Sequence, residues 1–150
     1  MAKSFSYNED DELDSTVAVT FKLDGAFKLR QVHQLDYTFT QATDKEGQPT
    51  GIPRGGQIIV TVKARDDSNV ELLNWMTSAS LFLSGKIIFK KKSDPNNVMK
   101  TIQFGNAYCV GYSEHWEDPE YSKSITHYEK LTIACKEINV DAVVWYNKWT

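Results

Sequence analysis

Residues 41–56 read QATDKEGQPTGIPRGG. They lie between two strand-like runs and decide the reading of the chain. Before them, Gln34–Thr40 alternates at Leu35, Tyr37 and Phe39. After them, Gln57–Ala64 alternates at Ile58, Val60, Val62 and Ala64. The intervening sixteen residues hold four glycines and two prolines. A tight hairpin needs only about two to five loop residues. A loop of this length in a small domain is usually functional or disordered, and the prolines reduce the entropy lost on ordering. The stretch therefore reads as a projecting arm that docks on something, with a solvated, mobile loop as the plainer reading.

The flanking sequence sets the fold class. Val17, Val19, Phe21 and Leu23 share one strand face, and Asp24-Gly25 is a hairpin signal after which Phe27 and Leu29 resume the alternation. Asp66–Thr77 is the one convincing helix. Ser68 and Glu71 have capping-box spacing, and Val70, Leu73 and Met76, with Leu72 and Trp75 beside them, form an apolar stripe. Gly85–Lys92 reads as a strand, Ser93–Asn97 as a turn, and Val98, Lys100, Ile102 and Phe104 as one face of the next strand. Asn106–Glu117 continues with Tyr108, Val110 and Tyr112 on one side until Asp118-Pro119 breaks it. Ser124–Glu137 carries Leu131, Ile133 and Cys135 in register, and Ala142–Tyr146 is a last apolar segment. About eight strands and one helix predict a mainly β protein, a sandwich or barrel, with the helix on the outside of the sheets covering one opening or edge.

The chain of 150 residues fits one domain, and a domain of that size buries roughly 68–70% of its unfolded surface. A hydrophobic fraction of 41%, a charged fraction of 25% and a net charge of −3 fit a soluble globular protein. They give no basic face for nucleic acid, and no basic residues interleave with the aromatics as a single-strand platform needs. Residues 8–14, NEDDELD, place five acids in a stretch with little to bury, so residues 1–16 read as a disordered acidic tail ahead of a domain at 17–150. No apolar run has the length of a membrane span, and the N-terminus lacks the apolar core of a signal peptide. The chain is thus expected to be made as a cytoplasmic protein, with export by a route needing no cleaved signal left open.

Catalytic chemistry is hard to find. Two cysteines, Cys109 and Cys135, are too few for a disulfide scaffold and lack metal-ligand spacing. If the strands around them pair as a hairpin turning near residue 122, they fall close to opposite each other, as two free thiols in a reducing compartment. His33, His115 and His127 form no helical ligand pair. A metal site or acid–base pair could be drawn on His115 with Glu114, Glu117 and Asp118, but a surface turn accounts for the same residues. Gly55-Gly56 after Arg54 precedes a strand, whereas a phosphate cradle needs a helix N-terminus. Lys86, Lys90, Lys91, Lys92 and Lys100 cluster on one hairpin. They read as a solvated edge that blocks unwanted pairing or as a contact for an acidic surface.

The order of segments adds a resemblance. LDG is followed by YTFTQATDKEGQPTG, RGGQIIVTV, LLNWM, SGKIIFKKK, MKTIQFGNAYCVGY and KLTIACKEI. This series resembles the Hcp family of type VI secretion tube proteins, in the form found in Bacteroidetes (TssD), over about Val17 to Trp149. The matching residues are Gln41, Thr43, Asp44, Gly47, Pro49, Gly55, Gly56, Trp75, Met76, Gly85, Ala107, Tyr108 and Cys109. The acidic stretch and EHWEDPEYSKSI at 114–125 lie outside the pattern.

The resemblance implies a two-sheet β-barrel with a flanking helix, assembled as hexameric rings that stack into a tube. It implies a contractile sheath, a baseplate and a tip spike as partners, and effectors carried in the lumen. It also implies secretion or delivery to target cells without a cleaved signal, and no enzyme activity, cofactor, metal, nucleic acid or membrane insertion. By position it makes Gln41, Thr43, Asp44, Gly47, Pro49, Gly51, Pro53, Arg54, Gly55 and Gly56 an inter-subunit or ring-stacking loop. A small-molecule-binding β-barrel is the competing reading and would need an open apolar interior. An enzyme using His115 is a third, lacking a recognisable nucleophile–base–orienter set.

Overall fold

A computed structural model describes residues 17–121 and 126–149. The acidic stretch read as a tail lies outside the described residues. Among the described residues seven strands are formed: β1 Val17–Leu23, β2 Arg30–Tyr37, β3 Gln57–Lys63, β4 Leu83–Lys91, β5 Asp94–Trp116, β6 His127–Val140 and β7 Val143–Tyr146. Among the same residues one α-helix, α1, spans Glu71–Thr77. The sheet order is β3-β2-β1-β4-β5-β6-β7, and β3 also pairs with β6. The first six strands therefore close into a barrel, and β7 is an added strand. Closure removes the open edges of those six strands. Every pairing is antiparallel.

Period-two alternation builds the interior. Phe21 and Leu23 from β1, Ile58, Val60 and Val62 from β3, Ile87 from β4, and Leu131, Ile133 and Cys135 from β6 all point inward. Ile102, Phe104, Ala107 and Cys109 join them from β5. Phe21 stacks on Phe104 at 5.8 Å between ring centroids. Ile58, Val60, Val62, Ile87, Ile102, Leu131 and Ile133 are each 0% exposed, so no water-sized space borders them. The interior is a packed core, and the open cavity required of a ligand-binding barrel is not present among these residues.

Several local expectations are corrected. The strand after Asp24-Gly25 begins only at Arg30, because pairing with β1 resumes at Phe21↔Arg30; Phe27 packs on the core from within a wider loop. The turn between β4 and β5 falls at Lys92-Ser93 instead of spreading over Ser93–Asn97, since Lys91 pairs with Asp94. Asn106 sits at φ 48°, and the extra residue there turns the faces of β5 over. Ala107 and Cys109 point in, while Tyr108 is half-buried and Val110 exposed. A second irregularity between Cys109 and Gly111 returns Tyr112 to the inward side. A single extra residue reverses every following side chain.

The helix is shorter than expected and uses another face. Ser68 has φ 60° and does not cap it; Val70 holds the N-cap position without a side-chain hydrogen bond. The Asn69 Oδ1 instead accepts the Glu71 N–H at 3.1 Å. Leu72 and Trp75 are 1% exposed, whereas Val70 and Leu73 face solvent. The Trp75 indole N–H donates to the Leu81 carbonyl at 3.2 Å.

A polar network that the sequence patterns do not reveal joins β2, β5 and β6. Arg30 donates to Glu129 at 2.7 Å with both side chains buried. Arg30 also donates to the Asn69 Oδ1 at 2.7 Å, and the Tyr112 hydroxyl donates to the other Glu129 oxygen at 2.6 Å. Burial, then the contact with Glu129, holds the Tyr112 phenol well above its ordinary pKa. A hydrogen bond to a charged group contributes about 1.5–3 kcal/mol. Tyr112→Phe should lower stability by about that amount in urea unfolding while leaving the Arg30–Glu129 pair in place; no change in midpoint would contradict this role.

Cys109 pairs with Ile133, and Cys135 with Ala107. The cysteines are thus two positions out of opposition, free and buried. Burial pushes the thiol pKa from the ordinary 9.0 to about 11 at Cys109 and about 12 at Cys135. The folded state disfavours the thiolates, so the associated stability is complete below pH 9 and is lost as pH rises through 11 to 12. Native protein at pH 8 should react with a thiol reagent far more slowly than urea-unfolded protein. Equal rates would contradict the burial.

Candidate assembly surface

The arm is a ladder that satisfies itself. At its root, Thr40 and Arg54 exchange backbone hydrogen bonds at 2.8 and 2.6 Å. The Gln41 amide donates to the Gly51 carbonyl at 2.5 Å, and the Thr50 N–H donates to the Ala42 carbonyl at 2.8 Å. Thr43 bridges to Pro49. At the tip the Asp44 carboxylate accepts the N–H groups of Glu46 and Gln48, both at 2.9 Å. Gly47 takes φ 85°, a conformation costly for a residue with a Cβ. This is Asx-turn chemistry, in which a short carboxylate replaces missing backbone partners.

Residues 38–54 are nevertheless all exposed. The arm is thus internally bonded but not buried against its own barrel. It has the order of a built element and the exposure of a surface awaiting a contact.

Its seat is aromatic. The Phe39 ring meets Trp145 edge-on at 5.2 Å and Tyr37 at 6.3 Å. Gly55 passes beneath Phe39, where a Cβ would come within 2.4 Å of the ring. Gly56, at φ 88°, runs against Trp145, Asn147 and the Cys135 carbonyl, which a Cβ would meet at 2.8 to 2.9 Å. All ten loop residues singled out from the sequence therefore lie in one arm and its root. Phe39, Trp145 and Asn147, which hold that root, were not among them. The aromatic pair is visible in the sequence, but nothing there brings residue 145 beside residue 39.

A groove of about 350 Å³ runs between the arm and β7, lined by Ile52, Pro53, Arg54, Gly55, Trp145, Tyr146, Asn147 and Lys148. Beyond it, among the described residues, β7 pairs only with β6. Val143, Val144 and Tyr146 on that strand are 70%, 52% and 61% exposed, and Ile52 on the arm is 54% exposed. Large apolar side chains grouped this way around a groove mark an interaction surface rather than ordinary scatter.

The histidines form no comparable centre. His33 and His115 lie against the Tyr128 ring at 6.4 and 4.9 Å. His127 contacts Glu114 at 2.7 Å, and the Asp118 carboxylate accepts the Glu120 N–H at 3.0 Å. The acid–base arrangement drawn on His115 is therefore not assembled. Among the described residues no three metal-ligating side chains converge, and no helix is long and apolar enough to cross a membrane.

The sequence model of the hemolysin coregulated protein Hcp (TssD) family matches residues 15–150. The chain belongs to the Hcp family. Hcp1 from Flavobacterium johnsoniae superposes with a TM-score of 0.77 at 26% identity, covering 87% of this chain and 99% of that one. Hcp1 from E. coli gives a TM-score of 0.66 at 18% identity, over 89% of this chain and 99% of that one. A chain of an extracellular contractile injection system, the PVC sheath–tube complex, shares the fold with a TM-score of 0.52 at 16% identity, over 83% and 88%. A search of curated protein sequences returns no match. The family resemblance read from the segment order and the mainly β barrel with one helix are both borne out, and the chain is a member of the tube-protein family of type VI secretion.

Proposed function

We propose that this Hcp chain is the repeating subunit of a type VI secretion inner tube. Subunits close into hexameric rings, and rings stack through the arm at Gln41–Gly56. The tube is driven by a contractile sheath from a baseplate, carries a spike at its tip, and holds effectors in its lumen. It is assembled in the cytoplasm and leaves the cell without a cleaved signal.

The observation that carries this reading is the arm, ordered by its own hydrogen bonds yet exposed up to Arg54. An exposed groove at its root, and beside it an edge strand that pairs only with β6 among the described residues, support the same conclusion. A closed ring of one kind of subunit needs two different, complementary surfaces on each copy, and the arm tip, with the groove between the arm root and β7, offers two such surfaces. The packed interior weighs against the ligand-binding barrel.

The test is export. In cells that carry the system, this chain should accumulate in the medium when the sheath is functional and remain inside when the sheath cannot contract. Substitution of His33, His115 or His127 by Ala should leave that export intact. Release that does not depend on the sheath would sink the proposal.

A further inference from the structure

Lys90, Lys91 and Lys92 run into the turn of the β4–β5 hairpin, and Lys100 lies on β5 opposite Phe89. Lys91, Lys92 and Lys100 are exposed and Lys90 is half-buried. Among the described residues none of them enters an ion pair. The carboxylate at this turn, Asp94, accepts the N–H of Asn96 at 3.3 Å.

The strand register places the start of the described chain at the same spot. Val17 pairs with Lys91 and Ala18 with Lys90. Beyond Lys91 the β4 strand ends in the Lys92-Ser93 turn. Glu9, Asp10, Asp11, Glu12 and Asp14 stand just ahead of Val17. At most about 3.6 Å per residue separates them from Val17, which puts Asp14 within about 11 Å and Glu9 within about 29 Å of it.

Charge is divided in the same way. Residues 1–16 hold five acids and one lysine, a net −4, against −3 for the whole chain; residues 17–150 are therefore +1. An excess of negative charge is tethered next to lysines that enter no ion pair among the described residues.

We propose that residues 9–14 dock in cis on the lysine tip formed by Lys90, Lys91, Lys92 and Lys100. The short tether gives the carboxylates a high local concentration, on the order of millimolar. A set of charges at close range interacts more strongly than single exposed pairs, which contribute little. Docking cancels the charge of a tip that would otherwise repel the same tip on any neighbouring copy.

Zero-length carbodiimide cross-linking of the full chain, read by peptide mass spectrometry, tests this. At low salt, residues 9–14 should link to the four lysines, and the yield should fall several-fold in 1 M salt, where the screening length is about 3 Å. Cis and trans contacts are separated by co-expressing two variants. One lacks residues 1–14; the other is full-length with Lys90→Gln, Lys91→Gln, Lys92→Gln and Lys100→Gln. In that mixture a link to the tip can form only between subunits, and none is expected. Links in the mixture, no links in the parent, or parent links confined to other lysines would each overturn the proposal.

Discussion

Replacing residues 41–53 with a two-residue Asn-Gly turn should leave a folded barrel that no longer assembles. Thr40 and Arg54 already face each other with two backbone hydrogen bonds, so a two-residue turn can close the gap. The removed residues contribute no side chain to the core. Their backbone hydrogen bonds are made within the segment itself, so deletion strands no partner on the barrel. Unfolding midpoint and circular dichroism should therefore stay close to the parent's, while light scattering reports a monomer. A truncated protein that assembled as well as the parent would remove the arm from the interface.

Trp75→Ala should have the largest effect on stability. The side chain is 1% exposed, joins the barrel core and donates to the Leu81 carbonyl. Truncation of a buried aromatic costs about 3–5 kcal/mol, a large share of the roughly 5–15 kcal/mol that holds a typical domain. The α1 helix has seven residues and no side-chain N-cap, too little to persist without packing. Its stability rests on Leu72 and Trp75. The variant should show a much lower urea midpoint and a weakened assembly together. Leu73→Ala on the exposed side of the same helix should change the midpoint little; equal losses from the two would contradict the assignment of the buried face.

Much of the barrel was legible because alternation is a direct record of burial. Ile58, Val60 and Val62 face in as their spacing implies, and so do Leu131, Ile133 and Cys135. β5 was misread from Tyr108 onward because a period-two reading assumes one residue per step, and the irregularity at Asn106 breaks that count. The helix face was misjudged for a related reason. Val70, Leu73 and Met76, with Leu72 and Trp75 beside them, read as one stripe, but the barrel receives Leu72, Trp75 and part of Met76 while Val70 and Leu73 face solvent, and which side is buried depends on a neighbour that helix periodicity does not name. The Arg30–Glu129–Tyr112 network joins residues up to 99 positions apart. No local pattern announces it, since each residue alone looks like an ordinary polar position on a strand.

The candidate surface divides in the same way. Its length, glycines and prolines marked the stretch as an unusual loop, a docking arm or a mobile loop. The groove at its root depends on β7 returning to β6 and bringing Trp145 next to Phe39, a juxtaposition made only by the closed topology.

The central claim is that this exposed arm and groove are the two halves of one assembly. Light scattering of the purified full chain at micromolar concentration tests it most directly. The expected mass is six times the 17.1 kDa subunit, or a larger multiple where rings stack. A stable monomer at that concentration would contradict it.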